Sequence, residues 1–338
     1  IGFLPNDYVY ISQYLGNLDH YDVYRRFENT ALRFIEILEQ QPDKVLIDAH
    51  PAYHSSQLGI ELGKKFNAEV IKIQHHKAHF ASVLAEHELF DHDNPILGVI
   101  WDGTGYGDDD NIWGGEFFKY HSKRMDRVSH FEYFDWLAGD KMAQEPRLSF
   151  FSLADGLMPK EIREKFKSRE LVIYESIKKK NQLNTSSVGR LFDAVASLLN
   201  ICDRNTYEGE AAILLENYIG EYDLDKCTSY ASISDTGLIP TKLLFWNLYS
   251  DYKKGVSKEI IITNFLFTLA TLIFEVADKQ YTKAIALSGG VFQNTVLIDM
   301  LKELVESKYK LYFNCNLSPN DENISFGQIN YYLNCKEH

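Results

Sequence analysis

Two apolar runs, each closed by glycines, constrain this chain more than any other feature. Ile96-Leu97-Gly98-Val99-Ile100-Trp101 leads into Asp102-Gly103-Thr104-Gly105-Tyr106-Gly107, and Ala284-Ile285-Ala286-Leu287 leads into Ser288-Gly289-Gly290-Val291-Phe292-Gln293-Asn294. Short apolar runs bounded by turn residues predict buried strands. A glycine turn between strand and helix leaves free N–H groups that attract phosphate. Asp102 itself reads either as a turn residue or as a carboxylate reaching a metal beside an anion cradle. In open α/β sheets, ligands sit at such carboxyl ends of strands.

The rest of the chain supplies helices to go with these strands. Helical periodicity covers residues 21–41 and 55–66, and strands are expected at 45–48 and 69–73. Segments 112–120 and 128–134 read as an antiparallel pair rich in aromatics. Residues 140–185 are helical and charged, an insertion or connection. From residue 186 the pattern restarts, with helices at 187–200, 208–219, 241–254, 258–281, 294–307 and from 324, and a strand at 310–313. The expectation is an α/β protein: an N-terminal lobe over 1–135, a helical connection over 136–185 and a C-terminal lobe over 186–338. Two lobes with glycine-rich strand ends facing a cleft resemble the actin/sugar kinase-like (ASKHA) architecture.

Gln74-His75-His76-Lys77-Ala78-His79 follows the strand at 69–73 and opens a helix. A spacing of four places His75 and His79 on one helical face, where both imidazoles can hold one cation. Three histidines on an amphipathic helix also read as plain surface. Asp321 lies in Ser318-Pro319-Asn320-Asp321-Glu322-Asn323 and reads locally as a helix N-cap. Two His and two Asp from separate strand ends would make a mixed N/O site suited to Fe(II), Zn(II) or Mn(II). A zinc protease of the His-Glu-x-x-His type is disfavoured, because His76 stands where its glutamate belongs.

Composition narrows the partners. A net charge of −13 disfavours nucleic acid, whose binding needs clustered Lys and Arg. Cys202, Cys227, Cys315 and Cys335 are widely spaced and form no Cys-x-x-Cys pair, so a cytoplasmic location is expected. Residues 260–277 are apolar enough to mimic a membrane span, but Thr263, Asn264, Thr268, Thr271 and Glu275 interrupt them. A buried core helix is expected there, with no membrane partner. The N-terminus carries no signal-peptide pattern and reads as the edge of something longer.

The motifs together resemble the C-terminal carbamoyltransferase region of the hydrogenase-maturation protein HypF. Those carrying the resemblance are Gln74–His79, Asp102–Gly107 with Trp113-Gly114-Gly115-Glu116-Phe117, Ser187-Val188-Gly189-Arg190-Leu191-Phe192-Asp193, Tyr207-Glu208-Gly209, Ser288–Asn294 and Pro319-Asn320-Asp321. They follow the family's order across nearly the whole chain. A more distant likeness extends to tRNA threonylcarbamoyl-adenosine synthases and antibiotic O-carbamoyltransferases.

The resemblance implies that His75, His79, Asp102 and Asp321 hold one divalent metal, Fe or Zn. It implies that Gly103, Thr104, Gly105, Asp193, Glu208, Gly209, Gly289, Gly290 and Asn294 bind an adenine nucleotide, with Asp193 and Glu208 suited to ribose hydroxyls. The implied reaction moves carbamoyl from carbamoyl-adenylate to the C-terminal cysteine of a HypE-like partner, and the product later yields the cyanide ligands of nickel–iron hydrogenase. An adenylate-forming domain, upstream or in trans, is implied as the donor's source. Two departures stand out: the family's opening strand is missing or altered, and no Trp follows Pro146. Lys141 and Arg147 read as acyl-phosphate contacts or as surface charges. Transfer to a small-molecule hydroxyl and a catalytically silent docking module are the competing functions.

Overall fold

In the computed structural model, residues 1–154 and 159–335 are described; residues 155–158, within the expected helical connection, and 336–338 lie outside the described residues. A short hairpin, β1 (Gly2–Phe3) and β2 (Tyr10–Ile11), opens the chain. Helix α1 (Tyr21–Ile37), β3 (Lys44–Asp48), α2 (His54–Phe66), β4 (Glu69–Ile73) and α3 (His75–Glu86) follow. Next come β5 (Ile96–Tyr106), β6 (Ile112–His121), β7 (Arg124–His130) and β8 (Phe134–Asp135). The middle holds α4 (Lys141–Gln144), α5 (Pro146–Leu153), α6 (Lys160–Arg163), α7 (Ser168–Lys180) and β9 (Asn184–Thr185). The remainder is α8 (Val188–Leu198), α9 (Glu210–Glu216), α10 (Thr241–Lys253), α11 (Lys258–Lys279), β10 (Ala284–Ser288), α12 (Thr295–Leu304), β11 (Lys310–Phe313) and α13 (Ile324–Asn334).

The main sheet runs β11-β10-β5-β6-β9-β8, with β7 on β6, while β3 and β4 form a separate parallel pair. β10 lies parallel to β5 in the register Ser288↔Ile100, so the glycine turn after β10 lies beside the glycine-rich stretch of β5. Trp101 stacks on Phe292, ring centroids 5.5 Å apart, and ties the two strand ends together. β10 and β11 extend the same sheet as β5.

Local chemistry accounts for the other differences. The expected strand at 128–134 starts earlier, because Ser122 and Lys123 take positive φ and close a tight hairpin between β6 and β7. The glycines after Trp101 do not leave the sheet at once: β5 continues to Tyr106 across a register shift and pairs with β6. Helix α1 ends at Ile37, and Glu39 turns the chain with φ 51°. Helix α11 is the one described helix long and apolar enough to cross a membrane, and it is mostly buried in the core.

Helix α5 is buried along its whole length. Arg147 lies inside rather than on the surface: Nε and one terminal N–H group donate to Glu145 Oε2 at 2.9 and 2.6 Å, and Glu170 lies 3.2 Å away. Lys141 pairs with Glu145 at 3.6 Å. Neither lines the cleft described next, so the acyl-phosphate contact suggested for them finds no support.

A candidate metal and nucleotide site

Three elements deliver the metal candidates to one point. Helix α3 opens directly after β4, with Gln74 as its N-cap accepting from Lys77 N at 2.9 Å. Gln74 Nε2 also donates to Tyr106 O at 3.0 Å and fixes the start of α3 against the end of β5. Asp102 comes from β5, and Asp321 from a single 3₁₀ turn, Asp321–Asn323, that precedes α13. Asp321 is not the N-cap of α13: that position belongs to Asn323, while Asn320 caps the 3₁₀ turn that Asp321 opens, accepting from Glu322 N at 3.1 Å. Helix α13 can lie this close to α3 because it presents Gly327, where a Cβ would fall 1.9 Å from Ala78 O.

His75, His79, Asp102 and Asp321 each offer one ligand atom, all within 4.8 Å of one another. His75 Nε2 is 3.4 Å from Asp102 Oδ2 and 3.5 Å from Asp321 Oδ1. His79 Nε2 is 3.8 and 3.6 Å from the same two oxygens. Both Nε2 atoms are buried without a hydrogen-bond partner among the described residues. Their Nδ1 atoms are occupied, His75 Nδ1 with Asp48 Oδ2 at 2.8 Å and His79 Nδ1 with Asn323 Oδ1 at 2.9 Å. A ring that donates through Nδ1–H turns its Nε2 lone pair inward, the arrangement that metal-binding histidines adopt. Two orphaned, outward-fixed imidazoles facing two carboxylates fit a divalent cation.

Asp48 and Asn323, which hold the two imidazoles at Nδ1, were missed by sequence reasoning. Asp48 reaches His75 because β3 pairs with β4 in the register Asp48↔Ile73, two residues before His75. Asn323 also donates to Ser318 O at 2.9 Å and is fully buried.

The charges follow the geometry. Burial opposes a charged His75, but Asp321, Asp102 and Asp48 outweigh it and hold the imidazole well above its ordinary range. His79 is raised too, its burial outweighed by Asp102 and Asp321. Asp102 is partly buried and Asp321 exposed; desolvation would raise both, yet the two histidines hold each carboxyl below the usual carboxylate range. His76 is different: burial holds it well below the histidine range, so it stays neutral, with Nδ1 3.0 Å from Gln74 Nε2.

A cleft of about 2240 Å³ opens beside this cluster. All the nucleotide candidates except Gly289 line it: Gly103, Thr104, Gly105, Asp193, Glu208, Gly209, Gly290 and Asn294. Gly289 sits behind the turn with φ 101°, where a Cβ would fall 2.2 Å from Trp101 O. Gly290 N donates to Asp102 Oδ1 at 3.2 Å. Asn294 caps α12 by accepting from Leu297 N, and its Nδ2 is buried without a partner among the described residues. Asp193 lies 2.7 Å from Arg190 Nε without hydrogen-bonding alignment, and burial pushes its carboxyl up to about 6. Glu208 lies on the lip, where desolvation and the charges of Asp321 and Asp102 raise its carboxyl.

Residues 98–328 match the family described as carbamoyltransferase, Kae1-like domain, second subdomain, and residues 1–86 match the HypF Kae1-like domain. The probable carbamoyltransferase HypF of Methanocaldococcus jannaschii is 31% identical over 98% of this chain and 44% of its own length. Carbamoyltransferase HypF of Synechocystis is 29% identical over 97% of this chain and 45% of its own. The chain thus spans less than half the length of these relatives. Full-length HypF, crystallised in a phosphate- and nucleotide-bound form, superposes with a TM-score of 0.86 at 30% identity, covering 96% of this chain and 52% of that one.

Proposed function

The chain belongs to the family of HypF Kae1-like carbamoyltransferase domains, and from that premise we propose that it transfers carbamoyl from carbamoyl-adenylate to the C-terminal cysteine of a HypE-like partner in hydrogenase maturation. The observation that carries this reading is the double use of Asp102. Its Oδ2 faces both orphaned imidazoles, while its Oδ1 accepts from Gly290 N in the glycine turn. One carboxylate therefore joins the cation cluster to the phosphate cradle, which suits a reaction at the acyl-phosphate bond. We read the cleft as the space between two lobes of an actin/sugar kinase-like fold. The nucleotide-bound state of a related HypF supports placing an adenine nucleotide in it.

A divalent iron or zinc ion held by His75, His79, Asp102 and Asp321 would polarise the carbamoyl oxygen or the departing phosphate. The chain's own residues position the reactants. The 103–105 segment and Gly290 line the phosphate subsite, and Asp193 and Glu208 accept from ribose hydroxyls. The cysteine thiolate attacks the carbamoyl carbon, the bond from that carbon to the phosphate oxygen breaks, and AMP leaves with the electron pair. A thiolate is already a strong nucleophile, so positioning replaces general-base catalysis. An adenylate-forming domain, upstream or in trans, supplies the donor, and a reducing cytoplasm keeps the acceptor thiol free.

The test is mass spectrometry of a cysteine-tailed peptide incubated with the chain and carbamoyl-adenylate generated by an adenylate-forming enzyme. Carbamoyl on the terminal sulfur, and none on a serine-tailed control, is expected. Modification of small alcohols with the cysteine peptide untouched would instead establish an O-carbamoyltransferase.

A further inference from the structure

One segment along the cleft has no task in the reading above. It is the segment between β3 and α2, Ala49-His50-Pro51-Ala52-Tyr53, and it is pinned at several points. Ala49 N donates to Ile73 O at 3.1 Å, and His50 N donates to Asp48 Oδ1 at 2.8 Å. The carboxylate that orients His75 therefore also holds this segment. The His50 and Tyr53 rings stack, centroids 4.1 Å apart and 12° from parallel. The edge of Tyr106, at the end of β5, closes on His50 at 5.5 Å.

The tautomer of His50 follows from its neighbours. Ala52 N donates to His50 Nδ1 at 3.2 Å, so Nδ1 carries a lone pair and the neutral ring holds its proton on Nε2. Burial favours that neutral ring over the charged one, against the pull of Asp48 and Asp140. Tyr53 remains a phenol: burial raises it, and Asp48, Asp321 and Asp102 raise it further against His75. Both residues line the cleft, and neither His50 Nε2 nor the Tyr53 hydroxyl is hydrogen-bonded among the described residues.

Two neutral donors on an aromatic stack that lines the cleft beside a cation cluster suit an uncharged carbonyl oxygen that gains negative charge during reaction. They do not suit a phosphate, for which this segment offers no positive charge. We propose that His50 and Tyr53 form the subsite that grips the carbonyl oxygen of the transferred carbamoyl group. This rests on the carbamoyl-adenylate reading above, and it makes the two residues the part of the site that distinguishes acylated from bare AMP.

The experiment is calorimetric binding of AMP and of a stable sulfamoyl analogue of carbamoyl-adenylate to the metal-loaded chain. Wild type is compared with Tyr53→Phe and His50→Phe, which keep both rings in the stack. Wild type binds the analogue more tightly than AMP, and each substitution removes about tenfold of that difference, in line with one lost hydrogen bond, while AMP affinity holds. An analogue no tighter than AMP in wild type, or a difference untouched by both substitutions, overturns the subsite and leaves the nucleotide reading standing. If neither ligand binds wild type, the carbamoyl-adenylate reading itself fails and the subsite falls with it.

Discussion

At the scale of residues, each imidazole of the metal pair is fixed at one nitrogen and offered at the other. Removing the fixing partner should free the ring without touching a ligand. Asp48→Ala and Asn323→Ala are each expected to weaken zinc affinity about ten- to a hundredfold, measured by competition with a chromogenic chelator. Affinity at the wild-type level in both would show that the Nδ1 contacts do not set ring orientation. pH acts on the same atoms. His75 and His79 are held above the ordinary histidine range in the metal-free protein, so a cation must displace their protons. Metal affinity therefore rises as pH climbs through and beyond that range. The stability of the stripped protein runs the other way. Groups raised on folding stabilise fully below their unfolded pKa, and that contribution fades as pH rises through the folded value. Thermal melts of loaded and stripped protein should separate further with rising pH; a gap that closes would contradict the assignment. The His75 and His79 pair was legible because helical spacing is local. Asp48 and Asn323 were not, since they approach from 27 and 244 residues away with no periodic signal.

At the scale of elements, the site depends on how closely strands and helices approach. Gly327→Ala would place a methyl group on the Ala78 carbonyl of α3 and push α13 away. Since the turn carrying Asp321 and Asn323 leads into α13, this substitution should lower both the melting temperature and the metal content, the latter read by elemental analysis of purified protein. Full metal content in a destabilised variant would mean that the turn holds its place without the helix. Gly289→Ala combines φ 101° with a backbone clash at Trp101, and the strain alone costs about 1–3 kcal/mol. It should lower the melting temperature and abolish AMP binding, whereas unimpaired binding would remove the turn from the nucleotide site. Most of these elements were readable, because buried strands such as β5 and β10 announce themselves as apolar runs. The end of β5 was not: three glycines in five residues look like a loop, and the pairing of Gly105 with Trp113 and of Tyr106 with Ile112 keeps the strand in the sheet as far as Tyr106. Asp321 likewise looked like a cap, since the sequence does not say which of Asn320 and Asp321 turns toward the backbone.

At the scale of the whole molecule, the parallel pairing of β5 with β10 brings residues nearly two hundred positions apart into one site. Long-range pairing of this kind leaves no trace in local periodicity, so the sheet that β5 and β10 share was not legible in the sequence. The resemblance to HypF supplied the ligand set from order and motif, and the structure supplies the reason those residues meet. The central claim is that the cation cluster and the nucleotide cradle are one site joined through Asp102. It is tested most directly by calorimetric titration of AMP into the metal-stripped, zinc-loaded and iron-loaded chain, in wild type and His79→Ala. The account predicts binding that depends on metal in wild type and is lost in His79→Ala. Equal AMP affinity with and without metal, or in the variant, would contradict it.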